Sequence, residues 1–320
     1  MMSKTEIVLS IVVPMYNEVS NLDTFFQRTL AVVEGLQLTY EIVCINDGSQ
    51  DDTLALLLTY HQHNPNIKIV NLSRNFGKEI ALSAGLDYAS GAAVLPIDAD
   101  LQDPPELIVE LLNMWQQGYD MVYATRRQRK GETLVKRVTA RFFYQFIDFI
   151  SDIDIPKNTG DFRLMDRRVV DALQQLPERT RFMKGLFAWV GFKQTAVTYD
   201  RQPRSSGQTT WNYWRLWNFA LDGITSFSAF PLKVWSYLGV FISLFSIFYA
   251  LFLIVRTLIW GIDVPGYASM MVVILFLGGI QLITLGILGE YLARIYTEVK
   301  RRPLYLIRET HGFEIKEKTG

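Results

Sequence analysis

The sequence predicts an α/β fold with a mostly parallel sheet and flanking helices, joined to helices that cross a membrane. Short apolar runs alternate with segments of helical periodicity over residues 7–123, and two uncharged stretches of 22 residues follow, at 234–255 and 268–289. The alternation is typical of βαβ units around a parallel sheet. As helices, the two stretches would each reach about 33 Å, enough to cross a hydrocarbon core of about 30 Å.

Five apolar runs have the length of strands and define the expected sheet. They are residues 7–13, 40–46, 67–72, 92–97 and 119–124. Between the first two, apolar side chains recur at helical spacing and are expected to face the core: Leu22, Phe25, Phe26, Leu30 and Val33. Polar loops follow the first four runs, and in a parallel sheet such loops meet at one edge, where ligands bind.

Composition excludes some classes of protein. Lys+Arg and Asp+Glu are both 32 among 320 residues, so global charge gives no indication of a nucleic-acid partner. Cys44 is the only cysteine and lies in an apolar run, which excludes an internal disulfide and predicts a buried thiol. The apolar part of the N-terminal segment ends at Pro14 and is too short for a signal peptide, so we expect no cleaved leader.

An acidic segment follows the fourth apolar run, where Asp98, Asp100 and Asp103 occur within six residues. Carboxylates on a short loop suit Mg²⁺ or Mn²⁺, with substrate phosphates completing the coordination. From these residues alone, a solvated acidic turn with Asp103 as the N-cap before Pro104 is an equally good interpretation.

Several common site motifs are missing. No G-x-G-x-x-G follows the first strand, no complete P-loop surrounds Gly77 and Lys78, and there is no G-x-S-x-G. His61, His63 and His311 do not have the spacing of a metal site. The usual dinucleotide, P-loop and α/β-hydrolase sites are therefore excluded.

Four polar motifs at the ends of the expected strands resemble those of family 2 glycosyltransferases, which have the Rossmann-like GT-A fold. They are VPMYNE at 13–18, NDGS at 46–49, RNFG at 74–77 and DADLQDPP at 98–105. The resemblance implies that Asp98 and Asp100 hold Mg²⁺ or Mn²⁺ on the donor diphosphate of a UDP-sugar. It assigns donor binding to Pro14, Tyr16, Asn17, Glu18, Asp47, Arg74, Lys78, Asp98, Ala99 and Gln102.

The segment 158–167, NTGDFRLMDR, resembles the acidic segment beside the acceptor in the same family. The resemblance implies a catalytic role for Asp161, alongside Asp98 and Asp100, and a contact of Arg163 with the acceptor phosphate. An ion pair of Asp161 with Arg163 or Arg167 is the alternative. Asp166 is expected to be the N-cap of a helix.

The segment 204–210 resembles the R-x-x-G-x-S-K segment of polyprenyl-phosphate glycosyltransferases, but Thr209 and Thr210 replace the Ser and the Lys. Arg201 and Arg204 remain as cations for the acceptor phosphate. Paired guanidinium groups hold phosphate oxygens bidentately, so we expect these two arginines to bind it.

The chain is expected to divide into a cytoplasmic GT-A domain (1–210), an aromatic juxtamembrane segment (211–230), two transmembrane helices (about 232–256 and 267–291, within 231–292) and a basic tail (293–320). Basic residues flank both apolar stretches, which places both termini in the cytoplasm and Trp260 in a short external loop. Residues 132–152 combine basic and aromatic side chains, which is typical of an interfacial helix, although packing against the domain is the alternative. Gly278 and Gly279 would allow close helix packing in a homo-oligomer.

The resemblance implies a membrane-bound inverting glycosyltransferase that moves a hexose, with glucose as the first candidate, from a UDP-sugar to undecaprenyl phosphate. The product would be a lipid-linked sugar for cell-envelope glycosylation at the inner or plasma membrane. Alternatives are a transferase that uses another nucleotide sugar, and a membrane-tethered sugar-nucleotide-binding module without turnover. A processive polysaccharide synthase is not favoured, because the chain has no Q-x-x-R-W segment and too few apolar stretches for a pore.

Overall fold

The computed structural model describes residues 7–126, 159–176, 178–179, 181–199, 230–260 and 266–313. The predicted interfacial helix at 132–152, the arginines Arg201 and Arg204, and all of the aromatic segment 211–230 except its last residue lie outside the described residues.

The sheet contains eight strands within the described part of the chain. They are β1 (Leu9–Met15), β2 (Tyr40–Asn46), β3 (Ile67–Leu72), β4 (Ala93–Pro96), β5 (Met121–Arg126), β6 (Thr159–Asp166), β7 (Gln194–Tyr199) and β8 (Ile307–His311). Their order across the sheet is β7-β5-β6-β4-β1-β2-β3-β8. Only β6 and β8 run against the other strands of this sheet, which confirms the predicted mostly parallel arrangement.

The predicted bounds hold for β2 and β3. Strand β1 continues two residues beyond its predicted end at residue 13, because Pro14 stays in register with Ile45 and Met15 with Asn46. Strands β6, β7 and β8 were not predicted. Strand β6 pairs antiparallel with both β4 and β5 and thereby carries the segment around Asp161 into the middle of the sheet.

Eight α-helices accompany the strands within the described residues. They are α1 (Val19–Gly35), α2 (Thr53–His63), α3 (Lys78–Tyr88), α4 (Ile108–Gln116), α5 (Arg167–Gln174), α6 (Met183–Trp189), α7 (Phe230–Trp260) and α8 (Tyr267–Val299). The side chain of Asp166 accepts a hydrogen bond from the Arg168 N–H at 3.0 Å, which confirms Asp166 as the N-cap of α5.

The sheet is buried on both faces, as expected of strands that are apolar on both sides. Helices α1, α2 and α4 cover one face through side chains such as Phe25, Leu57 and Leu111. Helices α3, α5 and α6 cover the other, with Val170 and Phe187 among the fully buried residues. The two layers leave the strand ends, and the loops between them, as the accessible edges of the domain.

Helices α7 and α8 are long, with 31 and 33 residues, and expose many large apolar side chains. Among the described residues, only the stretch Val272–Val299 of α8 is long and apolar enough to cross a membrane, whereas α7 contributes a shorter apolar stretch, Tyr237–Tyr249. The first predicted transmembrane helix therefore stays a prediction.

After α8 the chain returns to the domain. Strand β8 pairs with β3, and Asn71 donates a hydrogen bond from Nδ2 to Glu309 Oε1 at 2.8 Å. The hydroxyl of Tyr305 donates to Asp87 Oδ2 at 2.8 Å. The C-terminal end of α8 is thus followed directly by segments that are attached to the sheet and to α3.

Candidate functional site

The loops after β1, β2, β3 and β4 meet at one edge of the sheet because these four strands are parallel. This edge carries all of the predicted donor-binding residues. The first two loops are cross-linked: Asn17 N donates to Ser49 Oγ at 3.0 Å, and Asn17 Oδ1 accepts from Gln50 N at 2.8 Å. The N–H of Glu18 donates to Thr53 Oγ1 at 3.0 Å. Asn17 has a φ of +57°, a left-handed conformation that asparagine tolerates better than most residues.

Asp47 fixes the loop after β3 from the end of β2. Its two carboxylate oxygens accept hydrogen bonds from the backbone N–H groups of Phe76, at 2.7 Å, and Gly77, at 2.9 Å. Burial raises the pKa of this carboxyl despite the two donors and the charge of Arg74. Gly48 lies so close to this loop that an added Cβ would come within 2.5 Å of the Arg74 carbonyl carbon. Asp47 therefore shapes the RNFG loop, in addition to any contact with a nucleoside base.

Lys78 is the centre of the site. Its Nζ lies 2.7 Å from Asp98 Oδ2 and 2.8 Å from Asp161 Oδ2. Desolvation opposes the charged form of Lys78, but the two carboxylates outweigh it and raise the pKa of this lysine. Desolvation also opposes ionisation of Asp161, and the charges of Lys78 and Lys184 outweigh it, so that the pKa of Asp161 is lowered. Lys78 therefore joins two segments that are 63 residues apart, as the numbers of the two aspartates show.

The alternative ion pair of Asp161 with Arg163 or Arg167 is not what the structure contains. The guanidinium of Arg167 donates instead to the carbonyl oxygens of Ala89 and Gly91. Oδ1 of Asp161 is buried and has no hydrogen-bond partner among the described residues. Asp161 thus has one oxygen committed to Lys78 and a second that no described group satisfies.

The D-x-D segment turns sharply after β4. Asp100 Oδ1 accepts a hydrogen bond from the Gln102 N–H at 3.1 Å, and Leu101 has a φ of +58°. The side chain of Ala99 lies in the core, so a donor contact of this residue would come from its backbone. Asp103 is buried and accepts a hydrogen bond from the Tyr199 hydroxyl. Its predicted alternative role as an N-cap is wrong, because Pro104 precedes the 3₁₀ turn Pro105–Leu107 as its N-cap.

Asp98 and Asp100 fit a divalent cation that shares its coordination with a ligand. No group of three or more His, Cys, Asp or Glu residues that could hold a metal alone occurs in the described part of the chain. Mg²⁺ commonly takes one or two carboxylates and completes its shell with substrate phosphates and water. The half-exposed Asp98 and Asp100, with the unsatisfied Oδ1 of Asp161 at the same edge, match that donor set.

Glu79 belongs to the site but was not predicted. Its Oε2 accepts a hydrogen bond from the Met183 N–H at 3.1 Å, which links the start of α3 to the start of α6. Burial, with the charge of Asp161 in second place, raises the pKa of Glu79 to about 7. The sequence gives little signal, because an acidic residue in the first turn of a helix is normally explained by the helix dipole.

Arg163 does not lie where the sequence predicted. Its side chain is only 4% exposed, and its guanidinium lies 3.9 Å from the centre of the Phe187 ring and donates to the Gly160 carbonyl at 2.9 Å. Burial lowers the pKa of Arg163 to about 10. This position argues against the predicted contact with an acceptor phosphate.

The remaining predicted donor contacts differ in exposure. Tyr16 is 41% exposed, whereas Pro14 is half-buried within β1. The guanidinium of Arg74 lies 4.0 Å from the centre of the Phe76 ring, and Nη1 donates to the Asn75 carbonyl at 2.8 Å. Tyr16 and Arg74 are therefore the more accessible of these groups to a ligand.

Comparison with known proteins identifies two parts of the chain. Residues 10–174 match the family described as Glycosyl transferase family 2, and residues 230–295 match the GtrB C-terminal hairpin. The first match covers β1 to α5, which includes the loops of the site. The second covers α7 and most of α8.

Similar proteins extend over the whole length of the chain. An uncharacterized glycosyltransferase of Synechocystis sp. is 67% identical over 96% of this chain and 97% of its own length. The bactoprenol glucosyl transferase of Shigella phage SfII is 49% identical over 95% of this chain and 98% of its own length. A solved structure of glucosyl-3-phosphoglycerate synthase from Mycobacterium tuberculosis, with Mn²⁺, UDP-glucose and phosphoglyceric acid, is 18% identical, with a TM-score of 0.44 over 68% of this chain and 77% of that one.

Proposed function

This chain belongs to glycosyl transferase family 2, and on that premise we propose that it moves glucose from UDP-glucose to a polyprenyl phosphate such as undecaprenyl phosphate. The observation that carries the proposal is the full-length similarity to a bactoprenol glucosyl transferase, which includes both the site edge and the two long helices. A hydrophobic acceptor presents its phosphate at the membrane surface, so a catalytic domain followed directly by apolar helices suits this substrate.

On the donor side, Asp98 and Asp100 would hold Mg²⁺ or Mn²⁺, which supplies positive charge to the leaving diphosphate when bound. The cross-linked loops of Asn17 and Glu18 form one wall of the proposed nucleoside pocket, next to the exposed ring of Tyr16. The backbone bonds of the second loop's aspartate keep Arg74 and Lys78 at this pocket. Pre-positioned groups of this kind supply catalysis through geometry and electrostatics rather than through a covalent intermediate.

On the acceptor side, a phosphate oxygen attacks the anomeric carbon while the bond to the leaving UDP breaks, which inverts that carbon. The second pKa of a phosphomonoester is about 6, so near pH 7 the acceptor is mostly a dianion and needs no base. Asp161 orients the acceptor or Lys78, and it takes a proton only from the monoanion. Arg201 and Arg204 remain the proposed cations for the acceptor; Arg201 follows by two residues Tyr199, whose hydroxyl contacts Asp103.

For the membrane arrangement, we retain the division into a cytoplasmic domain (1–210), juxtamembrane segment (211–230), helical hairpin (231–292) and basic tail (293–320). Helix α8 carries a stretch with the length and composition of a span, and the similarity of residues 230–295 to a hairpin family supports a second span in α7. Both termini would then be cytoplasmic, with Trp260 outside. Assembly into a homo-oligomer is part of the proposal and is motivated by Gly278 and Gly279.

Transfer by the purified full chain tests the proposal. The protein is reconstituted in vesicles that contain undecaprenyl phosphate, supplied with Mn²⁺ and a panel of sugar nucleotides, and assayed for UDP release and lipid-linked sugar. We expect release with UDP-glucose only when the lipid phosphate is present. Binding of UDP-glucose without release, with lipid phosphate present, would favour a tethered binding module, and transfer from a different nucleotide sugar alone would change the donor.

A further inference from the structure

A line of contacts joins the end of α8 to the candidate site. Glu298 Oε1 accepts a hydrogen bond from the backbone N–H of Arg179 at 2.7 Å. Four residues further along the chain, the N–H of Met183 donates to Glu79 Oε2 at 3.1 Å. Glu79 directly follows Lys78, the lysine that holds both aspartates of the site. The last turn of α8 is therefore connected to the catalytic edge through one short segment.

Helix α3 makes a second connection. Its first residue, Lys78, lies in the site, and Asp87 near its other end accepts a hydrogen bond from the Tyr305 hydroxyl at 2.8 Å. A helix of 11 residues spans about 16 Å. Arg181 lies between the two connections: burial lowers its pKa, and the charges of Asp87 and Glu298 are among those that counter the shift. Both ends of the α8 exit are thus tied to elements that begin at the site.

Helix α8 is long enough to leave a membrane and reach this contact. Its 33 residues span about 50 Å, against about 30 Å for a hydrocarbon core. Its less exposed side chains recur every three or four residues: Thr284, Ile287, Tyr291, Arg294 and Glu298. The side chain of Arg294 is 15% exposed, whereas that of Glu290, one turn earlier, is 49% exposed. One face of α8 is therefore turned toward the protein where Glu298 makes its contact.

We propose that Glu298 is a positioning residue that fixes the catalytic domain on α8, so that the site meets the phosphate of an acceptor embedded in the membrane. This inference rests on the proposed function. The bilayer holds such a phosphate at its surface, so the distance between it and Asp161 depends on how the domain is held on the helix. A misplacement of about 1 Å can lower a rate by about 100-fold. A water-soluble acceptor diffuses into the site and does not depend on that attachment.

The test compares Glu298→Ala with Glu290→Ala in the full chain, reconstituted in vesicles. Glu290 is a matched control because it is on the same helix, and its described ion pair is with Arg294 of that helix. Each protein receives UDP-glucose and either undecaprenyl phosphate in the bilayer or a short-chain isoprenyl phosphate in solution. We expect Glu298→Ala to lower kcat/KM about tenfold for the embedded acceptor only, in the range of couplings measured between distant sites. Glu290→Ala should match the wild type with both acceptors.

Two further variants keep the inference falsifiable if Glu298→Ala fails to fold. Glu298→Gln retains an oxygen that can accept the Arg179 N–H and should restore most of the rate, whereas Tyr305→Phe should lower the same rate as Glu298→Ala. Equal losses with both acceptors, or no loss with the embedded one, would overturn the inference while leaving the proposed function intact. If the wild type transferred glucose to neither acceptor, the proposed function itself would be wrong and this inference would fall with it.

Discussion

Two lysine–carboxylate clusters lie at opposite edges of the same sheet and differ in how fully their oxygens are satisfied. At the amino ends of the parallel strands, the side chain of Glu41 is 1% exposed. It accepts hydrogen bonds from Lys68, from the Ser10 hydroxyl, and from both the backbone and the hydroxyl of Ser90. This cluster is closed, and its charge is fully compensated within the protein.

At the carboxyl ends of the strands, the cluster of Lys78 is open. Lys78 is 46% exposed at its side chain, it is shared by Asp98 and Asp161, and Asp161 Oδ1 has no partner among the described residues. A buried charge that is fully hydrogen-bonded contributes to the native state, whereas a charge left partly unsatisfied is available to a ligand. The difference indicates that similar side chains serve stability at one edge and catalysis at the other.

Exchanging the two lysines for methionine gives the largest expected difference between the edges. Lys78→Met leaves Asp98 and Asp161 to repel each other, and the resulting displacement should lower kcat about 100-fold. Lys68→Met should leave kcat unchanged and lower the melting temperature, because it removes the cation from a buried carboxylate. Steady-state transfer to lipid phosphate and thermal unfolding of each variant measure both effects. An equal loss of rate in Lys68→Met would erase the functional distinction.

The closed cluster should respond to pH as a stabilising element. Burial opposes ionisation of Glu41, but the bonds from Lys68, Ser10 and Ser90 outweigh it and lower the pKa of Glu41 below its ordinary value of 4.5. Its contribution is therefore present above about pH 4.5 and is lost as pH falls through the folded-state pKa. We expect Glu41→Gln to lower the free energy of unfolding by about 2 kcal/mol at pH 7 and by less at pH 4. Denaturant unfolding at the two pH values measures this, and a constant difference would contradict it.

The sequence predicts the parts of the fold that repeat a simple pattern. Strands β2 and β3 have the predicted bounds because continuous apolar runs are bordered by polar loops. Strand β8 was missed because its residues, Ile-Arg-Glu-Thr-His, are mostly polar and exposed, and only its pairing with β3 makes it a strand. Strand β6 was missed because Asp161 and Arg163 interrupt its apolar character.

The same limit applies to the site. Aspartates at the ends of neighbouring strands could be predicted to share an edge, since parallel strands place their carboxyl ends together. The contact of Lys78 with Asp161 could not, because it depends on the insertion of β6 between β4 and β5. Arg163 was misplaced for a related reason: its strand packs against α6, where Phe187 covers the guanidinium.

A smaller effect is expected from Glu79, which lies beside the open cluster. Its pKa is raised to about 7, chiefly by burial, so the folded state binds more protons than the unfolded state between about pH 4.5 and 7. Stability should therefore fall as pH rises through that range, and Glu79→Gln should flatten the fall. Melting temperatures at pH 5 and 7.5 test this, with Glu106→Gln, an exposed carboxylate paired with Arg28, as the control. Parallel curves for Glu79→Gln and the wild type would show that Glu79 does not retain its proton in the folded state.

Metal-dependent donor binding tests most directly whether the open edge is the catalytic one. The affinity of the full chain for UDP-glucose is measured by titration calorimetry with and without Mn²⁺, for the wild type and for Asp100→Ala. Because Asp100 is proposed to hold the metal that neutralises the donor diphosphate, Mn²⁺ should tighten binding to the wild type and have no effect on binding to Asp100→Ala. Tightening by Mn²⁺ that is equal in both proteins would contradict the assignment of the metal and donor to this edge.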